Sequence, residues 1–251
     1  MRALVLLCYV LILSTPSQAQ YIEYFSVQSG TGFFVNRDYL VTNAHVVREC
    51  KHVVISGAVA VQNAEVIVLD NERDMALIKS SAGVSNFAPL RTDIDSMQVG
   101  DSVMLVGYPG EKGAAGEVSV AEAKVQRLER SAVGNPWQFY ISDVVAHGNS
   151  GGPVLDNSGN VIGMVMGIME LKTINMLSRE KISEERLGVA ISLRALQHFL
   201  ENQGVYIQWG GSNLLTYTNS ILEENARRYI VNVQCRIKTD APTEHLTQDQ
   251  P

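Results

Sequence analysis

Apolar residues come mostly in short runs along this chain, and turn residues separate several of them. Gly32–Val35, Leu40–Thr42, His52–Ile55, Glu65–Leu69, Ala76–Lys79, Ser102–Val106 and Glu117–Ala121 read as strands, followed by Phe139–Val145, Pro153–Leu155, Val161–Ile168 and Gly188–Ile191. Asn36-Arg37-Asp38 and Asn157-Ser158-Gly159-Asn160 are turn signals between them. Many short strands with few helical patterns predict an all-β sandwich or a pair of barrels. No tandem repeat interrupts the series. One segment has a clear helical period: Ser192 fits an N-cap, Leu193, Leu196 and Leu200 share a face, and Gly204 supplies a stop.

Three stretches depart from this pattern. Ala3–Leu13 is an unbroken apolar run behind Met1-Arg2, then comes a polar stretch with Pro16, and Ser17 and Ala19 are the small residues a signal peptidase needs. The run is shorter than the roughly 20 residues of a membrane-spanning helix. Residues 1–19 are therefore expected to be a signal peptide, with Cys8 discarded inside it. Met169–Arg186 carries eight charged residues and reads as a long surface loop with some helical content. Beyond Val205, Ser220-Ile221-Leu222-Glu223 fits a capping box opening a short helix. After it, Tyr229, Val231, Val233, Cys235 and Ile237 alternate with Asn232, Gln234 and Arg236, the period of a half-buried strand. That strand is expected to dock on the first barrel with Cys235 facing inward.

Composition narrows the partners. The chain has 251 residues, 46% hydrophobic and 18% charged, enough for one sizeable core or two small barrels. Removing the signal removes only Arg2, leaving 19 Lys+Arg against 26 Asp+Glu, a net charge of −7. An acidic chain with no basic run argues against nucleic acid as a partner. Cys50 and Cys235 remain, a disulfide candidate pair in an oxidising compartment, with two buried free thiols as the alternative. Acidic residues are scattered and no close Cys/His pattern indicates a metal.

Three segments carry candidate chemistry: Gly30–Val35 with Leu40–Val47, then Asp70–Ile78, then His147–Val154. Taken in order, they resemble the trypsin-like serine peptidases, and in particular the bacterial exported branch related to the HtrA/Deg proteases. The resemblance runs from about Gly30 to Gly204. It implies two six-stranded antiparallel β-barrels, about 25–90 and about 98–204, in a protease domain of residues 20–204 with a C-terminal helix. A short α/β extension, 205–251, then packs on that domain and ends in disorder. About 47 residues fall short of a PDZ domain, which is not expected here.

The resemblance implies a triad of His45, Asp74 and Ser150 in the cleft between the barrels, with an acyl-enzyme intermediate. A serine hydroxyl is a weak nucleophile near neutral pH and needs a base, for which imidazole is suited. A carboxylate on the other ring nitrogen fixes the tautomer and stabilises the imidazolium. The amides of Gly148 and Ser150 are the expected oxyanion hole. Asp70 competes for the triad place, but Asp74 begins the Asp-Met-Ala-Leu-Ile run that matches the family. His52, His198 and His245 lack comparable surroundings.

Gly148-x-Ser150-x-Gly152 also fits the nucleophile elbow of α/β-hydrolases. That elbow requires a helix after the serine and the order Ser, Asp, His. Gly151-Gly152-Pro153 starts a helix badly, and the order here is His, Asp, Ser. Asn149 stands where digestive trypsins carry an aspartate that pairs with a new N-terminus, so no such activation step is expected.

The primary pocket is expected from Val144, Val145, His147, Met166 and Ile168. Its apolar walls suit small or medium apolar P1 side chains, with His147 at the rim as a contact for a polar or acidic one. The expected partners are protein or peptide substrates, with no cofactor, no stable membrane span and an open oligomeric state. A trypsin-fold binding or chaperone-like module with silent or switched proteolysis is the alternative function.

Overall fold

A computed structural model describes residues 24–93, 96–128, 137–174, 181–211 and 216–239. The proposed signal peptide, Cys8 and His245 lie outside them.

The N-terminal half supplies β1 (Tyr24–Phe34), β2 (Tyr39–Thr42), the single-turn α1 (Ala44–Val47), β3 (His52–Gly57), β4 (Gln62–Asp70), β5 (Met75–Ser80) and the two-residue β6 (Leu90–Arg91). The second half supplies β7 (Ser102–Gly107), α2 (Gly110–Ala114), β8 (Ser119–Leu128), β9 (Gln138–Ile141), β10 (Pro153–Leu155), β11 (Val161–Ile174) and β12 (Lys181–Ser192). The chain then forms α3 (Leu193–Asn202), β13 (Trp209–Gly210), α4 (Asn219–Ala226) and β14 (Ile230–Thr239).

Barrel 1 closes in the order β1-β14-β3-β4-β5-β2, so its sixth strand comes from the far end of the described chain. β14 lies antiparallel between β1, from Tyr24↔Thr239 to Phe33↔Ile230, and β3, from Val231↔Gly57 to Arg236↔His52. Its apolar residues make this placement favourable: Ile230, Val231, Val233 and Cys235 are fully buried, and Asn232, expected outward, is buried as well and donates to the Gly113 carbonyl at 2.7 Å. Burying an Ile or Val side chain contributes about 1.5–3 kcal/mol, so three of them hold the strand on the order of 5 kcal/mol. Cys235 is bonded to Cys50, just after α1, with Cα atoms 5.1 Å apart.

Barrel 2 closes in the order β10-β7-β8-β9-β12-β11, with β11 returning to β10, and short β6 and β13 run parallel beside it. The chain is thus mostly strand, in two closed six-stranded antiparallel barrels with few helices. Phe139, Ile141, Leu105 and Val154 fill the second interior, and Phe33, Leu40, Ile55 and Ile78 the first. α3 packs Leu193, Leu196, Phe199 and Leu200 inward, and the Ser192 side chain accepts a hydrogen bond from the Ala195 amide.

Several boundaries differ from the sequence pattern. The charged stretch 169–186 is not a surface loop: β11 runs to Ile174 and β12 starts at Lys181, making one long antiparallel hairpin. At its described base, Arg186 approaches Asp143 at 3.7 Å and Glu170 at 3.9 Å, while Met169 and Leu171 pack toward buried Tyr140, Leu187 and Val189. β1 begins at Tyr24, eight residues before the apolar run, because its Ser/Gln-rich start is exposed yet paired with β14. β8 begins at Ser119 and continues to Leu128 with Ala123 and Val125 turned inward. α4 is capped at Thr218 rather than Ser220.

Candidate active site

His45 sits in α1, directly after β2. Buried Ala44, Val46 and Val47 clamp that turn on barrel 1 and leave the imidazole on the inter-barrel side. Asp74 ends the tight β4–β5 turn just before β5, with φ at 58°, in the left-handed region that Asp tolerates better than most residues. Three contacts hold it there. The Asn43 side-chain amide donates to the Asp74 carbonyl at 3.0 Å. The His45 backbone amide donates to Asp74 Oδ1 at 2.9 Å. His45 Nδ1 lies 2.7 Å from Asp74 Oδ2.

The third contact has a chemical consequence. An ionised carboxylate only accepts, so Nδ1 carries the proton and Nε2 keeps its lone pair toward the cleft. Asp74 is 14% exposed against 31% for His45, which shields the carboxylate side of the pair from water.

Asp70 has a separate task. Its Oδ1 accepts from the Arg73 amide at 2.9 Å and its Oδ2 from the Arg73 guanidinium at 3.1 Å. That guanidinium lies 5.0 Å from the centre of the Trp137 ring, in barrel 2. Asp70 therefore shapes the turn that presents Asp74 and does not touch His45 through any hydrogen bond.

Ser150 lies across the cleft, in the loop between β9 and β10. Its hydroxyl donates to the Met166 carbonyl at a long 3.4 Å. The loop around it is fixed by backbone bonds. The Gly110 amide donates to the His147 carbonyl at 2.8 Å, and the Gly152 amide to the Asn149 carbonyl at 2.8 Å. In a planar trans peptide the N–H points opposite to the C=O. Those two bonds therefore aim the amides of Gly148 and Ser150 the other way, and neither has an acceptor within the protein among the described residues. Gly148 needs its φ of 93°, and a Cβ there would come 2.3 Å from the Tyr108 carbonyl.

One cleft of about 610 Å³ joins these groups. His45, Ser150 and Gly148 line it together with Val145, His147, Met166 and Ile168. Val144 does not: it leans on the barrel 2 interior, because the Val144 amide turns back onto the Ser142 carbonyl at 2.8 Å. Gln28 and Ser29 of β1, Gly110, Ala146 and Gly167 complete the lining, and the sequence motifs do not point to them. For Gln28 and Ser29 no sequence signal existed, since an exposed polar strand start looks like a loop. His52 and His198 lie elsewhere, against Phe25 and Trp137. No group of three or more His, Cys, Asp or Glu able to hold a metal occurs among the described residues.

Residues 30–164 match the trypsin-like peptidase domain. The chain belongs to that family. Among curated relatives, it is 30% identical over 82% of its length to the uncharacterized protein y4bJ of Sinorhizobium fredii, covering 32% of that protein. It is 34% identical over 56% of its length to a probable periplasmic serine endoprotease DegP-like of Chlamydia trachomatis, covering 28% of it. It is also 31% identical over 54% of its length to the magnetosome formation protease MamE of Paramagnetospirillum magneticum, covering 19% of it. The chain thus spans about a third or less of these relatives. The active form of the Rv3671c protease from M. tuberculosis superposes with a TM-score of 0.55 at 24% identity, over 74% of this chain and 78% of that one, a likeness of fold.

Proposed function

We propose that this chain is a serine endopeptidase that cleaves protein or peptide substrates through His45, Asp74 and Ser150. The observation that carries this is the His45–Asp74 pair at 2.7 Å, with His45 and Ser150 lining one cleft. His45 Nε2 takes the Ser150 proton as Oγ attacks the scissile carbonyl, and later gives it to the leaving amine. Asp74 stabilises the imidazolium between these steps. The tetrahedral oxyanion forms where the unpaired amides of Gly148 and Ser150 converge, a contribution of about 2.7–4 kcal/mol per donor. The acyl-enzyme then breaks down by the same proton path in reverse, with water as the nucleophile.

The Ser150 hydroxyl turned toward the Met166 carbonyl supports a second reading, a resting conformation in which proteolysis is switched and the fold serves binding. Catalytic hydrogen bonds often tighten only with substrate bound, so this contact fits the first reading as well. Fluorophosphonate labelling of the purified protein, with Ser150→Ala as control, separates them. Labelling that maps to Ser150 supports the peptidase, and a protein that stays unlabelled rejects it.

Export is part of this reading. Its supports are the signal-like pattern of residues 3–19, the Cys50–Cys235 bond and a relative named as periplasmic. Cleavage after Ala19 leaves Gln20 first, and N-terminal sequencing of the secreted or periplasmic protein tests it.

A further inference from the structure

The oxyanion loop is held by a residue of the other barrel. Thr31 of β1 is fully buried. Its Oγ1 accepts from the Tyr108 amide at 2.9 Å and donates to the Gly148 carbonyl at 2.6 Å. The Thr31 amide donates to the Ser150 carbonyl at 2.8 Å, and its carbonyl accepts from Thr42 Oγ1 at 2.7 Å. We propose that the Thr31 hydroxyl is a positioning residue for the oxyanion hole. This rests on the peptidase reading above.

The direction of the hydrogen bonds gives the argument. An amide N–H can only donate, so the Tyr108 contact uses a lone pair of the hydroxyl and leaves its one proton for the Gly148 carbonyl. That carbonyl belongs to the peptide between Gly148 and Asn149, whose N–H is bonded to the Ala146 carbonyl at 3.0 Å. This central peptide is flanked by the two that bear the hole amides. Gly148, without a side chain, places little barrier against its rotation. Thr31 acts on the neighbouring peptide too. It anchors Tyr108, two residues before Gly110, whose amide holds the His147 carbonyl and so aims the Gly148 N–H. One hydroxyl from barrel 1 thereby braces both peptides that meet at Gly148, without touching substrate.

The test uses the full mature chain with a peptide ester substrate and a peptide boronate that forms a tetrahedral adduct. Thr31→Val keeps the shape and removes the hydroxyl, and Thr31→Ser keeps the hydroxyl. The oxyanion is absent from bound substrate and develops on the way to the tetrahedral intermediate, so kcat should fall and KM should not. We expect Thr31→Val to lose about tenfold or more in kcat with KM within about twofold, and to bind the boronate proportionally less tightly. Thr31→Ser should regain most of both. Thr42→Val removes a buried hydroxyl of the same cluster whose hydrogen bond goes to the Thr31 carbonyl and not to the loop, and should leave the kcat-to-KM balance unchanged. Should Thr31→Val not fold, Thr31→Cys, a weak donor of similar bulk, carries the same comparison.

The role is overturned by wild-type kcat in Thr31→Val, by equal losses in Thr42→Val, or by no recovery in Thr31→Ser. A wild type that neither labels nor cleaves overturns the peptidase reading itself. A wild type that cleaves while Thr31→Val matches it overturns only the role of Thr31.

Discussion

Cys50 and Cys235 are bonded across a sequence separation of 185, at the point where β14 passes the turn that carries His45. The far end of the described chain is thus tied to the base of the candidate triad. β14 stands between β1 and β3, so barrel 1 has no closed wall without it.

Deleting residues 230–251 should therefore abolish folding of the N-terminal half rather than trim a tail. It opens two strand edges and uncovers the interior faces of Phe33 and Ile55. The double variant Cys50→Ala/Cys235→Ala should fold, since the ladder with β1 and β3 remains. Removing a native disulfide typically costs about 2–5 kcal/mol, with the larger values for long loops. Denaturant titration without reductant measures it. A truncated chain that still labels with fluorophosphonate at the wild-type rate would refute the structural role of β14.

Asp74 and Asp70 should separate by the kind of damage their loss does. Asp74→Asn retains shape but stabilises the wrong imidazole tautomer, with an expected loss of about 10⁴ in kcat. Asp70→Asn weakens the Arg73 contact at 3.1 Å and should lower the melting temperature with a far smaller kcat effect. Steady-state kinetics beside thermal unfolding decides this. Equal kcat losses in the two variants would remove the distinction drawn between them.

Burial pushes the Tyr229 phenol upward from its ordinary value of 10.0, and the nearby Asp156 carboxylate pushes it the same way. The unfolded chain loses this proton near pH 10 while the folded chain retains it. Above pH 10 the unfolded state then binds fewer protons, so stability falls as pH rises. Below pH 10 both states are protonated and the group adds no pH dependence. Tyr229→Phe should flatten the fall between pH 10 and 11.5 in urea titrations. An unchanged slope would show that Tyr229 ionises with water access.

The candidate triad was legible because each member lies in a local signature: an apolar strand before His45, another after Asp74, and glycines around Ser150. Strand pairing, by contrast, is a long-range property. The alternation from Tyr229 to Ile237 revealed a strand and its inner face, while its exact slot between β1 and β3 emerged only from the fold. The 169–186 stretch mixes charged and apolar positions without a clean period of two, so its strands follow from β11–β12 pairing rather than from local propensity. Val144 leans toward the barrel 2 interior through a turn at Ser142 that the local sequence does not announce. Thr31 stood within the quoted Gly30–Val35 motif, but a hydroxyl's partner 117 residues away leaves no trace in the local pattern.

The cleft walls give the final prediction, on the residue accepted before the scissile bond. Val145 is buried and comes close to β12: a Cβ on Gly188 would meet Val145 Cγ2 at 2.6 Å. The pocket is therefore shallow on that side, with Met166 and the partly exposed Ile168 beside it. No carboxylate lines it among the described residues. A lysine or arginine side chain would lose water there without gaining a counter-charge, a cost of several kcal/mol. Small and medium apolar residues should be preferred at P1, by about 100-fold or more in kcat/KM over lysine, since about 1.4 kcal/mol corresponds to each factor of ten. The rim imidazole of His147 reaches the same cleft and should soften the discrimination against polar, uncharged P1 groups. A peptide library read by mass spectrometry measures the ranking, and a dominant lysine or arginine preference would show that a charged group outside the apolar walls sets specificity.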